Sequence, residues 1–251
     1  MTSCGRVAFD ARSDGAADGP GANPCVNATN HDEDRDLIDD ACDVCPHLAD
    51  PDQADGDGDR VGDVCDPEPT LAKERIVHFD SFAVTKGDWT FSAPSILMDD
   101  SLYIDARAGQ FTALRRKEPA TDRYEIGGRL GDGPDGQHQV TIEGVTDGGA
   151  PFYYCELDGT ANSMAKFAFT YTIDVVNVIV LARVDATGPI SNRDFRLMMD
   201  HRPPDVRCST TWPATSSEVT AMLPFASDGI VFSVQGVTAR IDYVIQIHSD
   251  P

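Results

Sequence analysis

Gly229-Ile-Val-Phe-Ser-Val-Gln235 and Thr238-Ala-Arg-Ile-Asp-Tyr-Val-Ile-Gln-Ile-His248 are two runs of β-branched, aromatic and aliphatic residues, parted by Gly236 and Val237. Residues of that kind fit a pleated, half-buried surface, so each run predicts a β-strand. Toward the N-terminus the same texture recurs as short apolar runs punctuated by Gly, Asp, Asn and Pro. It predicts strands over Arg75–Val84, Trp89–Ser92, Leu97–Ala106, Phe111–Arg115, Tyr124–Leu130, Gln139–Val145, Phe152–Leu157, Lys166–Thr172, Val175–Val184, Phe195–Met199 and Ser217–Leu223. No window keeps a capped helical period over several turns. Residues 70–251 are therefore expected to form an all-β sandwich.

Upstream of residue 70 the texture changes. Asp32-Glu-Asp-Arg-Asp-Leu-Ile-Asp-Asp-Ala-Cys-Asp43 and Asp55-Gly-Asp-Gly-Asp-Arg-Val-Gly-Asp-Val-Cys-Asp66 share five aspartate positions, 23 residues apart. These are Asp32, Asp34, Asp36, Asp40 and Asp43, then Asp55, Asp57, Asp59, Asp63 and Asp66. Loop positions one, three, five, nine and twelve are those from which a flexible backbone wraps Ca2+, with a carbonyl from position seven, here Ile38 and Val61. Position six is usually Gly because the chain turns sharply there. Leu37 and Arg60 occupy it, at a cost of about 1 kcal/mol if the turn needs positive φ. The expected affinity is accordingly at the weak, extracellular end of the calcium range. An acidic solvated linker is the alternative, but a random acidic run would not repeat its offsets. Without a cation, ten mutually repelling carboxylates should leave the segment extended.

Seven cysteines imply disulfides and an oxidising compartment. Cys42 and Cys65 hold the same place in the two copies, and Cys45 follows in Cys-Asp-Val-Cys. A zinc site at Cys42 and Cys45 lacks the second CxxC or HxxxH that would complete four ligands. With acidic offsets and cysteine placement in agreement, residues 32–67 resemble the thrombospondin type 3 repeat, a disulfide-stapled calcium wire with almost no hydrophobic core. The resemblance implies neighbour-to-neighbour pairing, Cys25 with Cys42 and Cys45 with Cys65. Cys155 and Cys208, the two cysteines of the C-terminal region, form the third expected pair, although sequence alone leaves connectivity open. Each bridge would stabilise by roughly 2–4 kcal/mol.

His78-Phe-Asp-Ser-Phe82 with Trp89-Thr-Phe91, together with the run from Gly229 to Val244, resembles the first and last strands of laminin G-like, concanavalin A-type jelly rolls. That likeness implies that the first and last strands lie side by side, with Phe79 and Phe82 near Ile241 and Tyr243. Some such folds are glycoside hydrolases carrying a Glu-x-Asp-x-x-Glu strand. Here Glu156-Leu-Asp158-Gly-Thr-Ala stops after two acids, with Thr160 and Ala161 where a second glutamate would stand. No Gly-x-Ser-x-Gly elbow is present, and no Gly-rich stretch leads into a Lys-Ser/Thr helix start. Binding is therefore expected rather than catalysis; a glycoside hydrolase or lyase and a purely structural envelope component are the alternatives. Trp212, Tyr153 and Tyr154 are candidates to stack on a sugar ring. Tyr153 and Tyr154 are adjacent on a strand, so at most one faces the core. Asp99 with Asp100, or Asp132 with Asp135, could form a further metal site.

The chain has 251 residues, 42 acidic and 20 basic, and residues 1–69 hold 18 of the acidic but only 4 of the basic side chains. No basic patch is left for nucleic acid or an anionic membrane. Cys4 in Ser-Cys-Gly looks like the acylated start of a mature bacterial surface lipoprotein, although only Met-Thr-Ser precedes it and no signal peptide is visible. A free thiol is the alternative. The expected organisation is a flexible tether over 1–24, a calcium-binding repeat over 25–69 and a jelly roll over 70–251. The expected protein is an extracellular or surface-tethered calcium-binding adhesion module. Its rigid repeat spaces the sandwich from its anchor, and its ligand is a carbohydrate or a surface protein.

Overall fold

The computed structural model describes residues 28, 30–83, 89–115, 122–134, 136–145, 152–160, 166–172, 178–185, 190–202, 205–212, 215–222 and 229–250. With strands numbered along the chain, one sheet runs β13 (Thr215–Met222), β12 (Asp205–Trp212), β11 (Arg193–Arg202), β6 (Asp122–Leu130), β15 (Thr238–Ser249), β4 (Ser101–Asp105) and β3 (Ile96–Met98). To it β1 (Glu74–Asp80) is added by pairing with β15. The second sheet runs β10 (Val178–Asp185), β9 (Lys166–Thr172), β8 (Phe152–Thr160), β7 (Gln137–Val145), β14 (Gly229–Gln235), β5 (Gln110–Arg115) and β2 (Thr90–Phe91). Neighbouring strands are antiparallel, and the described residues contain no helix. The fold is an all-β jelly-roll sandwich behind an irregular, disulfide-linked segment.

Alternation places Val140, Ile142, Leu157, Phe232, Val234 and Phe111 of the second sheet against Tyr124, Ile126, Leu197, Met199, Ile241 and Val244 of the first. Polar and covalent links cross this core. Cys155 on β8 is bridged to Cys208 on β12. The Tyr153 hydroxyl lies 2.8 Å from His201 Nδ1, and Arg115 Nη1 donates to Gln246 Oε1 at 2.6 Å.

The first and last strands do lie side by side, with Phe79 opposite Ile245 and Asp80 opposite Val244. Two strand expectations need correction. The stretch Leu97–Ala106 is a hairpin of β3 and β4, turned at Asp99 and Asp100, both with positive φ (50° and 55°). A two-residue turn of that hand matches strand twist, and Asp tolerates it without a Gly signal. β12 is a strand where the sequence pattern predicts none, and it pairs with both β11 and β13.

The larger correction concerns the N-terminal segment. A bulge between Ile241 and Tyr243 divides β15. Before it β15 pairs with β4, and beyond it with β1. Beyond the bulge both faces of the strand are buried. Val244 enters the central core, while Tyr243, Ile245 and Ile247 join Ile76 and Phe79 in a second cluster with Cys45, Val61, Cys65 and Leu48. The acidic segment is therefore plastered on the outer face of the first sheet and shares a core with it. It is not a spacer holding the sandwich away.

Polar contacts reinforce that docking. Arg123 Nη1 donates to the Cys65 carbonyl at 3.0 Å, and Arg202 pairs with Glu68. Glu125, 1 % exposed, accepts the Tyr243 hydroxyl at 2.6 Å and both Nε and Nη2 of Arg196, with His47 Nε2 3.5 Å away. Burial alone would raise the Glu125 pKa; His47 and Arg196 instead hold it well below the usual carboxylate range. Gly127 makes room for this arrangement, since a β-carbon there would come within 2.3 Å of the Tyr243 ring.

Candidate divalent-cation cages and a polar sheet face

The two acidic copies fold alike because their aspartates bond the same backbone groups. At position one, Asp32 Oδ1 accepts the Arg35 N–H at 2.7 Å and Oδ2 that of Leu37 at 3.0 Å; Asp55 does the same for Gly58 (2.8 Å) and Arg60 (3.0 Å). At position five, Asp36 and Asp59 accept from Ile38 and Val61 at 2.8 and 2.9 Å. The chain turns left-handed at position six, φ 83° at Leu37 and 77° at Arg60, a region side chains other than Gly enter at a cost. Disulfide Cys45–Cys65 ties the copies together. Cys42 is also disulfide-bonded, whereas Cys25 and Cys4 lie outside the described residues.

Four groups of carboxylates converge, with oxygens within 4.8 Å of one another: Asp32, Asp34 and Asp36; Asp36, Asp43 and Asp50; Asp55, Asp57 and Asp59; and Asp59, Asp66 and Glu74. Asp40 and Asp63 are not among them. Each bonds the backbone of loop position two instead, Glu33 and Gly56 respectively, both at 2.8 Å, and Asp40 also meets His31 Nδ1 at 2.6 Å. Asp50 and Glu74 are the residues that the repeat pattern missed. They are structural equivalents: the Asp50 N–H donates to Asp36 Oδ2 at 3.0 Å, and the Glu74 N–H to Asp59 Oδ2 at 2.7 Å.

Asp34 Oδ2, Asp50 Oδ2, Asp57 Oδ2, Asp66 Oδ2 and Glu74 Oε2 are buried without a hydrogen-bond partner. A buried carboxylate oxygen with no donor is expensive to keep ionised. Left as bare carboxylates, Asp34 and Asp50 are pushed up to about 7 and Asp66 to about 6, by burial first and by neighbouring carboxylates besides. Asp43 and Glu74 move the same way, again chiefly through burial. A hard divalent cation fits this donor set, because it takes several oxygens at once and removes the repulsion. Among the described residues every such group lies within residues 32–74. Asp99 and Asp100 form a hairpin turn, Asp132 accepts from Asn192, and Asp135 lies outside the described residues.

The second feature is the outer face of the second sheet. Thr141 stands opposite both Glu156 and Ser233, and Glu143 opposite Tyr154. Gln139 Nε2 donates to Glu156 Oε2 at 2.6 Å, and Glu143 Oε1 accepts from Thr141 Oγ1 at 2.7 Å and Ser233 Oγ at 3.0 Å. Burial raises the Glu143 pKa in spite of those bonds. Tyr154 is half-buried on this face. Tyr153, proposed as a stacking ring, is fully buried in the core, since adjacent strand residues point to opposite faces. Trp212 closes β12, and its side chain lies outside the described residues.

No family model matches the chain, and no curated protein does either. Solved structures do resemble it. The CBM2 module of the evolved Dit of Lactobacillus casei BL23 phage J-1 matches with a TM-score of 0.56 at 10% identity, over 71% of this chain and 97% of that one. Winged bean acidic lectin complexed with methyl-α-D-galactose gives 0.53 at 9% identity, over 70% and 99%. A Bacillus licheniformis β-glucanase gives 0.51 at 10% identity, over 69% and 98%. Identity this low speaks for a shared fold: a concanavalin A-like jelly roll.

Proposed function

We propose that the protein is a calcium-binding extracellular or cell-surface module whose jelly roll binds carbohydrate. The observation that carries the calcium reading is the set of buried carboxylate oxygens without donors, which recurs at Asp34 and Asp57 and at Asp50 and Glu74, equivalent places in the two copies. Asp32, Asp34, Asp36, Asp43 and Asp50 would hold cations in the first copy, with the Ile38 carbonyl. Asp55, Asp57, Asp59, Asp66 and Glu74 would do so in the second, with the Val61 carbonyl. The bound ion supplies charge neutralisation and rigidity, as in a thrombospondin type 3-like repeat. Disulfides in both parts of the chain favour an oxidising compartment, and acylation at Cys4 would hold the module at a surface.

The sugar-binding part draws support from the polar outer face of β7, β8 and β14 and from the lectin and carbohydrate-binding folds that the chain resembles. Equilibrium dialysis against calcium with ion counting tests the first half, and a glycan array in calcium tests the second. No stoichiometric calcium removes the calcium reading; a silent array leaves the structural envelope role. A second reading, glycoside hydrolysis, is favoured by one observation: Glu143 and Glu156 project from adjacent strands on one face, as a catalytic carboxylate pair must. Polysaccharide turnover that disappears in Glu156→Gln would establish it.

A further inference from the structure

The two copies differ in where the closing acid comes from. Asp50 belongs to the acidic segment itself. Glu74 is the first residue of β1, a strand of the sandwich. We propose that the Asp59–Asp66–Glu74 cage is a divalent-cation site shared between the segment and the sandwich, so that cation binding there clamps the two together. This rests on the calcium reading above and goes further, by assigning one site the control of the sandwich's own stability.

The geometry supports a clamp. Glu74 is 3 % exposed; its Oε1 accepts the Ser249 hydroxyl at 3.1 Å, and its Oε2 is buried with no donor, among the Asp59 and Asp66 oxygens. Ser249 is the last residue of β15 and stands opposite Glu74 in the β1–β15 ladder. Asp59 Oδ2 accepts the backbone N–H groups of Lys73 and Glu74 at 3.1 and 2.7 Å, which fixes the start of β1 against the loop. One ion held here is bonded to the loop and to the first strand at once, and through Ser249 it bears on the last strand. Three carboxylates and no nitrogen or sulfur donor select a hard cation of the Ca2+ class. The ion at Asp36, Asp43 and Asp50 has no such connection, since all three acids lie in one segment.

The test uses the full chain with calcium alone as the probe, comparing wild type, Glu74→Gln and Asp50→Asn by ion counting and calorimetric melting, in calcium and in chelator. A hundredfold calcium excess over Kd should raise the wild-type melting temperature by about 5–10 °C. Glu74→Gln should lose one calcium equivalent and most of that rise. Asp50→Asn should also lose an equivalent but keep more of the rise than Glu74→Gln. In chelator, Glu74→Gln should melt at or above wild type, because one of three crowded carboxylates is gone; a merely structural glutamate would make it melt lower in both conditions. Unchanged calcium uptake and an unchanged rise in Glu74→Gln would overturn the shared site while leaving calcium binding intact. Absence of calcium uptake by wild type would overturn both.

Discussion

Replacing Glu125 by Gln should destabilise the whole protein, because this buried carboxylate joins the acidic segment to the sandwich. Its oxygens hold the Tyr243 hydroxyl and two Arg196 nitrogens, with His47 of the segment 3.5 Å away. Breaking a buried charge pair by removing one partner costs about 3–5 kcal/mol. The Arg196 side chain is 32 % exposed and can turn to solvent, so the lower end applies, about 3 kcal/mol. For a chain of this size that is a fall of roughly 6–12 °C in melting temperature. Asp194→Asn, which breaks the exposed pair with Arg129, is the control and should cost no more than about 1 kcal/mol.

The acid limb gives a second reading of the same group. The Glu125 pKa is held low in the folded state, so its contribution is fully present above the unfolded carboxylate value of 4.5 and is lost as pH falls below it. Urea titrations at pH 7 and in the acid limb should show the wild-type advantage over Glu125→Gln shrinking on acidification. A double-mutant cycle with His47→Gln should return a coupling of about 1 kcal/mol or more. A cycle near zero, with Glu125→Gln no worse than the Asp194 control, would refute the docking of the segment on the sheet.

His201 is pushed down to about 4 from 6.5, by burial that Asp200 only partly offsets. The folded value is depressed, so the stability is present above pH 6.5 and about 3 kcal/mol is lost between there and pH 4; an imidazole titrating near 6.5 by NMR would contradict this. Replacing Cys155 and Cys208 together by Ala removes the bridge between the sheets and should cost roughly 2–4 kcal/mol by urea melts. Leu37→Gly and Arg60→Gly relieve positive φ at position six and should each tighten calcium binding severalfold, corresponding to about 1 kcal/mol; weaker binding by titration calorimetry would sink the strain account.

Most strands were legible because Val, Ile, Phe and Tyr alternate between Gly and Asp punctuation. The exceptions are instructive. Asp99 and Asp100 make a hairpin turn without the glycine that usually marks one, and no strand is expected over 205–212, a run flanked by prolines in the sequence, although it pairs on both edges. Docking of the acidic segment left a fainter trace. Tyr243-Val-Ile-Gln-Ile247 is apolar on both faces, the pattern of a strand covered twice, but nothing in those residues says what the second cover is. The segment has few apolar side chains of its own, and Val61, Leu48 and the disulfide become a core only against the sheet.

The site was legible where both copies share an offset and illegible where they diverge. Asp50 has no counterpart 23 residues on, because Lys73 stands there, and the acid that closes the second cage is its neighbour Glu74. A strict repeat search discards both residues. Shifting the acid by one place moves it out of an irregular loop and onto a β-strand, whose alternation turns Glu74 inward between Lys73 and Arg75. The departure from the repeat is therefore informative in itself. A segment whose cages were all self-contained could fold beside any domain, whereas one that takes its last carboxylate from β1 is folded around this sandwich.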